Sequence, residues 1–91
     1  MSATADDGTG RVEQLTETEF RERLSELPPS AKLVAKVLEL DAPLSQGQLA
    51  DESLLPDRTV RYALNRLEEV GLVASRYSFH DARKQVYFLT N

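Results

Sequence analysis

With 91 residues and a formal net charge of −4, the chain is long enough for one domain built around a single small core. The absence of cysteine excludes disulfides and thiolate metal sites, and one histidine gives little support to any other metal centre. Because no apolar run approaches the roughly 18 residues that cross a bilayer, and the first residues lack the features of a signal peptide, we expect a cytoplasmic protein without membrane contact, metal or other cofactor.

The N-terminal quarter predicts a polar tail and one helix. Residues 1–14 are polar and contain two glycines, which predicts a disordered tail. A helix is then expected over residues 16–26. Its cap is either Thr16, which forms a capping-box pattern with Glu19, or Thr18.

A second helix follows two prolines. Pro28 and Pro29 end the first helix because neither can donate a helical hydrogen bond, whereas proline is favoured in a first turn. The next helix is therefore expected to begin at residue 29 or 30 and to end near Asp41. It should be the central core helix, with a broad buried face that includes Leu33, Val34, Val37 and Leu38.

The middle of the chain predicts a helix-turn-helix. Ser45 and Gln48 form a second capping-box pattern, which begins a short helix over residues 46–52. A turn through Pro56 leads into a longer helix over residues 56–70, which Gly71 ends.

The longer helix has two chemically different faces. Val60, Leu64 and Leu67 recur at helical spacing and are expected in the core. A second set recurs at the same spacing on another side: Arg58, Arg61, Tyr62 and Asn65. Cationic, aromatic and amide side chains aligned on an exposed helix match what the DNA major groove accepts.

After Gly71 the apolar period changes to two. Residues 72–78 and 85–90 are rich in Val, Tyr, Phe and Leu, which predicts two strands joined by a polar connection. The expected fold is mainly α with a C-terminal β-hairpin, in the order helix, helix, helix, helix, strand, strand. This is a winged helix-turn-helix domain over residues 15–91, with the hairpin over residues 72–90 as its wing.

Charge is distributed unevenly along the chain. Residues 1–27 hold seven acids and three bases (−4), residues 28–55 hold four and two (−2), and residues 56–91 hold four and six (+2). The basic excess lies on the candidate DNA-contacting helix and wing, which is a nucleic-acid footprint despite the acidic total. The alternative is a solvated surface of mixed charge. Three lysines against eight arginines and fifteen acids also suit a halophilic protein.

The segment LSQGQLADESLLPDRTVRYALNRLEEVGLV resembles the winged helix-turn-helix of MarR-like transcription regulators, especially the small archaeal ones. The resemblance covers residues 28–90. It implies sequence-specific binding of double-stranded DNA by a two-fold dimer, with helix 56–70 in the major groove and wing 72–90 on the backbone or minor groove. Larger relatives dimerise through helices at both ends. Here a homodimer is expected to use either the helix over residues 16–26 or another surface, and the resemblance does not extend to the family's small-molecule effector pocket.

The candidate DNA-contacting residues fall into three groups along the chain. They are Ser45 and Gln46 in the short helix, Arg58, Thr59, Arg61, Tyr62, Asn65 and Arg66 in the longer helix, and His80, Arg83 and Lys84 in the wing. Arginine suits guanine and asparagine suits adenine, while helix N–H groups and wing cations suit phosphate or the minor groove.

Several of these residues have a structural alternative. Ser45 could serve only as a helix cap, and Arg61 could pair with Asp57. Tyr62 could pack on the wing or first helix, and Arg66 could pair with Glu69. The wing cations could belong to a solvated turn.

The sequence also leaves a second function open. A winged helix can serve as a protein-protein interaction module of a transcription or chromosome-associated complex, and the acidic N-terminal half favours that use. The polar stripe on the longer helix disfavours it, since a protein-binding face carries more exposed Leu, Phe or Met. No nucleophile motif or phosphate-binding loop indicates an enzyme.

Overall fold

Four helices and a small antiparallel sheet make up residues 15–91, which the computed structural model describes. The elements are α1 Glu17–Ser25, α2 Pro29–Asp41, β1 Leu44–Ser45, α3 Gln46–Ser53, α4 Asp57–Glu69, β2 Val73–Tyr77 and β3 Gln85–Leu89. The predicted order of four helices and two wing strands is confirmed, with one short strand added. The predicted disordered tail, residues 1–14, lies outside the described residues.

Two capping boxes begin the helices that the sequence predicted from them. At α1, Thr16 Oγ1 accepts the Glu19 backbone N–H at 3.1 Å, and the Thr16 N–H donates to Glu19 Oε1 at 2.9 Å. The cap is therefore Thr16 rather than Thr18. At α3, the Ser45 N–H donates to Gln48 Oε1 at 2.9 Å, and the Gln48 N–H donates to Ser45 Oγ at 3.2 Å. Each box satisfies backbone donors that a helix start leaves without partners.

Two residues in left-handed conformation bound α4 and the turn before it. Gly71, with φ 77°, follows the end of α4 and turns the chain into β2, as the sequence predicted for a glycine there. Leu54, with φ 62°, ends α3 in the same conformation, which the sequence did not predict. Pro56 is the N-cap of α4 rather than a residue of its first turn.

The core lies where α2, α3 and α4 meet the sheet. The fully or nearly fully enclosed side chains include Val34, Leu38, Leu49, Val60, Leu64, Leu67 and Leu72. The expectation that Leu33 is buried is wrong, since it is 40% exposed. The small residues Ala31 and Ala35 lie on the same side of α2 as Val34 and Leu38, and the buried stripe is centred there. At about 100° per residue, this centre leaves Leu33 on the far side of the helix.

The sheet has strand order β1-β3-β2 and joins the wing to the helix-turn-helix. In the wing, β2 pairs with β3 from Val73 opposite Leu89 to Tyr77 opposite Gln85. The unpredicted strand β1 pairs Leu44 with Tyr87 on the other edge of β3. The base of the wing is therefore fixed to the start of α3 by backbone hydrogen bonds.

Helix α1 completes the core and also caps α4. Phe20 and Leu27 are buried against the main cluster. The Arg23 guanidinium donates to the Val70 carbonyl oxygen at 2.9 Å, at the end of α4. A cation at this position is favourable because the last carbonyls of a helix lack intrahelical partners. Helix α1 is thus an integral part of the domain.

Candidate nucleic-acid interface

One side of α4 is exposed, polar and cationic along most of its length. Arg58, Arg61, Tyr62 and Asn65, called here the reading face, are all exposed. The opposite side carries Val60, Ala63, Leu64 and Leu67, all buried. At about 100° per residue the reading face spans an arc of roughly 100° centred opposite the core. The two faces predicted from the sequence are confirmed.

The two arginines of the reading face keep their guanidinium donors turned to the surface. Among residues 15–91, neither Arg58 nor Arg61 forms an ion pair, and the alternative pairing of Arg61 with Asp57 does not occur. A guanidinium carries five N–H donors in a planar fork. This fork can donate two parallel hydrogen bonds to guanine or to a phosphate.

Tyr62 and Arg66 form a connected pair at the edge of the reading face. The Arg66 Nη1 group donates to the Tyr62 hydroxyl at 3.0 Å, and its guanidinium carbon lies 5.9 Å from the centroid of the tyrosine ring. Arg66 Nε also lies 3.5 Å from Glu69 Oε1, which is the structural alternative that the spacing offered for Arg66. Tyr62 is 48% exposed and remains at the surface instead of packing on the wing. Thr59 is half-buried on the same flank.

The two candidate residues at the start of α3, Ser45 and Gln46, have different structural surroundings. The Ser45 side chain is buried and holds the capping box, so its hydroxyl has a structural role. Gln46 is half-buried, and its side-chain Nε2 group donates to the Asp57 backbone carbonyl at 3.4 Å. This contact joins the first turn of α3 to the first turn of α4. The N-terminal ends of both helices of the helix-turn-helix therefore lie together.

The wing tip, defined as residues 78–84, is an ordered turn built around Asp81. The Ser78 N–H donates to the Lys84 carbonyl at 2.8 Å, and the Lys84 N–H donates to the Asp81 carbonyl at 2.9 Å. Asp81 Oδ1 accepts the Arg83 backbone N–H at 3.0 Å and lies 3.6 Å from Arg83 Nε. The side chains of His80, Arg83 and Lys84 are exposed. The structure brings these three together at one end of the hairpin.

Sequence reasoning missed the sheet face that continues from α4 into the wing. Tyr87 is half-buried, and burial raises its pKa. The Glu68 carboxylate also raises this pKa, while the Arg61 guanidinium lowers it. Both charges belong to α4, so Tyr87 lies within their electrostatic reach. Next along the same face, the Gln85 amide Nε2 donates to Ser75 Oγ at 3.0 Å. The two-residue period of a strand, which puts Gln85 and Tyr87 on one side, is the signal that could have assigned this face.

The described residues contain neither a metal site nor a membrane span. No cluster of three or more histidine or acidic side chains with metal-binding geometry occurs among residues 15–91. Over the same range, every helix is too short or too polar to cross a bilayer.

Comparison with known proteins gives the same architecture. The model for winged helix-turn-helix DNA-binding domains matches residues 35–74. Residues 35–74 are therefore similar to winged helix-turn-helix DNA-binding domains. A comparison with curated proteins finds no match.

Several solved structures share the fold. A MarR family transcription regulator superposes with a TM-score of 0.69 at 21% identity, covering 77% of this chain and 47% of that one. An S. aureus MepR mutant bound to an oligodeoxyribonucleotide gives 0.67 at 19% identity, covering 82% and 57%. BpsR of Bordetella bronchiseptica, whose DNA binding is regulated by 6-hydroxynicotinic acid, gives 0.69 at 25% identity, covering 78% and 52%. The chain thus spans about half the length of these proteins.

Proposed function

We propose that this chain is a transcription regulator that binds double-stranded DNA in a sequence-specific way. Helix α4 enters the major groove, where Arg58, Arg61 and Asn65 contact base edges. The backbone N–H groups at the start of α3, together with Gln46, and the flank residues Thr59, Tyr62 and Arg66 contact phosphate and set the register. His80, Arg83 and Lys84 of the wing contact the backbone or the minor groove.

One observation carries this proposal: the reading face is exposed, and its two guanidinium groups form no ion pair within residues 15–91. The buried core of a protein-protein interface is more apolar than the rest of the surface, and the reading face carries no Leu, Ile, Phe or Met. Instead the exposed side of α4 offers hydrogen-bond donors in an arrangement that suits the edges of base pairs. This is why the DNA-binding function is preferred to a protein-interaction module, and a binding function to a catalytic one.

The working form is proposed to be a cytoplasmic homodimer in which α1 contributes to the contact between the two copies. An open groove of about 350 Å³ lies along α1 and α2, and its lining includes Leu24, Lys36 and Leu89. A two-fold dimer would present two α4 helices to successive major grooves about one helical turn apart. Sedimentation velocity on the full chain should give the dimer mass, and Leu24→Glu should shift it to the monomer. If the chain is a monomer in solution and also binds a two-site duplex as a monomer, the proposed homodimer is wrong, while the DNA-binding proposal stands.

The DNA-binding proposal is tested by fluorescence anisotropy. The full chain is titrated onto a duplex enriched from a random pool and onto the unselected pool, at several KCl concentrations. We expect tighter binding to the enriched duplex, and loss of that preference in the Arg58→Ala, Arg61→Ala double variant. Removing one base contact costs about 1–3 kcal/mol, so the double variant should lose at least tenfold in affinity.

A matched control keeps both positive charges of the reading face. The Arg58→Lys, Arg61→Lys double variant should keep the salt-dependent binding to the unselected pool but lose the preference for the enriched duplex, because lysine retains the charge without the planar guanidinium fork. A full preference in the lysine variant would show that charge attraction, and not bidentate base contact, carries the binding. No duplex binding by the unmodified chain at any salt concentration would overturn the proposal and favour a protein partner.

A further inference from the structure

The wing tip exposes aromatic rings that the DNA contacts proposed above leave unused. Phe79 is 92% exposed and Tyr77 is 63% exposed, the largest exposures among the aromatic side chains of residues 15–91. Apolar rings usually bury most of their surface, so nearly complete exposure of a phenylalanine on an ordered hairpin needs an explanation. Neither ring belongs to the buried core cluster or to the side chains packed against it.

One cation lies against the exposed ring, and two more belong to the same segment. The Arg76 guanidinium carbon lies 5.1 Å from the centroid of the Phe79 ring. Residues 76–84 contain Arg76, Arg83 and Lys84 against Asp81, so three positive charges and one negative charge give +2 for this segment while the whole chain carries −4. An apolar ring in a locally cationic setting complements a partner that is polyanionic outside and apolar between its stacked layers. Duplex DNA has this chemistry.

The hairpin holds Phe79 in a defined position. Tyr77 opposite Gln85 is the last strand pair before the tip, and the hydrogen bond from the Ser78 N–H to the Lys84 carbonyl closes the turn just before Phe79. The His80 N–H donates to Ser78 Oγ at 3.2 Å on the other side of Phe79. Because the backbone on both sides is hydrogen-bonded, the ring is presented to a partner with little further loss of backbone entropy.

We propose that Phe79 acts as an apolar wedge that enters the DNA minor groove and partly unstacks one base-pair step. Arg76 and Lys84 would contact the flanking phosphates. The wing would then kink the duplex and favour flexible steps, which adds specificity at positions that α4 does not touch. This inference rests on the proposed DNA-binding function and assigns to the wing a part beyond charge attraction.

The test compares Phe79→Ser with a matched control. Leu40 lies on α2, outside the wing, and is 79% exposed, so Leu40→Ser removes another highly accessible apolar side chain. Each variant and the unmodified chain are titrated onto the duplex enriched by the unmodified chain. The duplex carries end labels for energy transfer, which reports bending, and 2-aminopurine at single steps of the wing half-site, which reports unstacking. Because Phe79 and Leu40 lie at the surface, both variants should melt like the unmodified chain in circular dichroism.

We expect the unmodified chain and Leu40→Ser to bend the duplex and to raise 2-aminopurine emission at one step. Phe79→Ser should lose both signals and at least about fivefold in affinity, the lower end of what one aromatic-base contact contributes. Its salt dependence should be unchanged because no phosphate contact is removed, whereas Lys84→Ala should lower the salt slope by about one. Phe79→Leu should keep part of the bend.

Two outcomes would overturn the inference in distinguishable ways. If the unmodified chain binds and prefers the enriched duplex, but Phe79→Ser bends it equally and binds equally well, the wedge is wrong and the DNA-binding function stands. If the unmodified chain binds no duplex at all, the proposed function fails and the wedge fails with it. In that second case, the exposed Phe79 would be assigned to contact with an acidic protein partner instead of DNA.

Discussion

Replacing Leu54 with glycine should stabilise the domain. Leu54 has φ 62°, a left-handed conformation that costs a residue with a Cβ atom about 1–2 kcal/mol. Its side chain is 89% exposed, so its removal sacrifices little burial, and its N–H bond to the Ala50 carbonyl at 3.0 Å is kept. Glycine loses about 0.5–1 kcal/mol more backbone entropy on folding. The net gain expected for Leu54→Gly is about 0.5–1 kcal/mol, measured by urea unfolding.

The control is Leu54→Ala, which removes the exposed side chain but keeps the Cβ atom and its strain. Equal stability of Leu54→Gly and Leu54→Ala would refute the argument from backbone strain.

Gly71 tests the same reasoning with the opposite sign. A Cβ atom added there would meet Arg23 Nη1 at 3.5 Å, an ordinary contact, so the cost is conformational. With φ 77°, Gly71→Ala should lose about 1–2 kcal/mol.

Three further changes are predicted from single contacts. Leu64→Ala should cost about 2–5 kcal/mol in urea unfolding because the side chain is buried in the core. Gly47→Ala should stabilise α3 by about 0.5–1 kcal/mol, since nothing lies within 4 Å of the added Cβ, and unchanged stability would contradict this. A side-chain hydrogen bond with Asp41, slight desolvation and the Asp41 charge raise the pKa of Glu52 from its usual value, so the folded state loses stability as the pH rises through the range in which Glu52 ionises. Glu52→Gln should therefore have the higher melting temperature at neutral pH, and this difference should shrink as the pH falls and Glu52 is protonated.

Local signals explain why most of the helix boundaries could be predicted. Thr16 and Ser45 begin helices through bonds to residues three positions away, and Gly71 ends α4 through its own backbone freedom. Strand β1 could not be predicted in this way. It has two residues, and it exists because Leu44 and Ser45 pair with β3, more than forty positions later in the chain. Such a contact is a property of the folded domain, and short sequence windows carry no trace of it.

The reading face was predictable because helical periodicity separates it from the core within one element. The sheet face that carries Gln85 and Tyr87 was not predictable in this way. Tyr87 comes within electrostatic reach of the charges on α4 only because the pairing of β2 with β3 places it there in the folded domain. The ion pairs that helical spacing allows on α4 also differ in whether they form. Of the two ion pairs that the sequence offered as alternatives, Arg66 with Glu69 forms at 3.5 Å, whereas Arg61 leaves Asp57 unpaired within the described residues. Exposed pairs contribute about 0–1 kcal/mol, which is too little for spacing alone to decide which of them form.

The fold keeps part of the acidic charge away from the proposed DNA contact. The bond from Arg23 to the Val70 carbonyl places α1, with its three glutamates and two arginines, at the C-terminal end of α4, whereas Arg58 and Arg61 lie in its first half. Twelve residues separate Arg58 from Val70, and at 1.5 Å per residue this corresponds to about 18 Å along the helix axis. Charges that far apart at the surface are largely screened at physiological salt, where the Debye length is about 8 Å, and more so at higher salt. The electrostatic field that a phosphate meets at the reading face is therefore set by the charges close to it, Arg58 and Arg61 against Asp57, and not by the net charge of the chain.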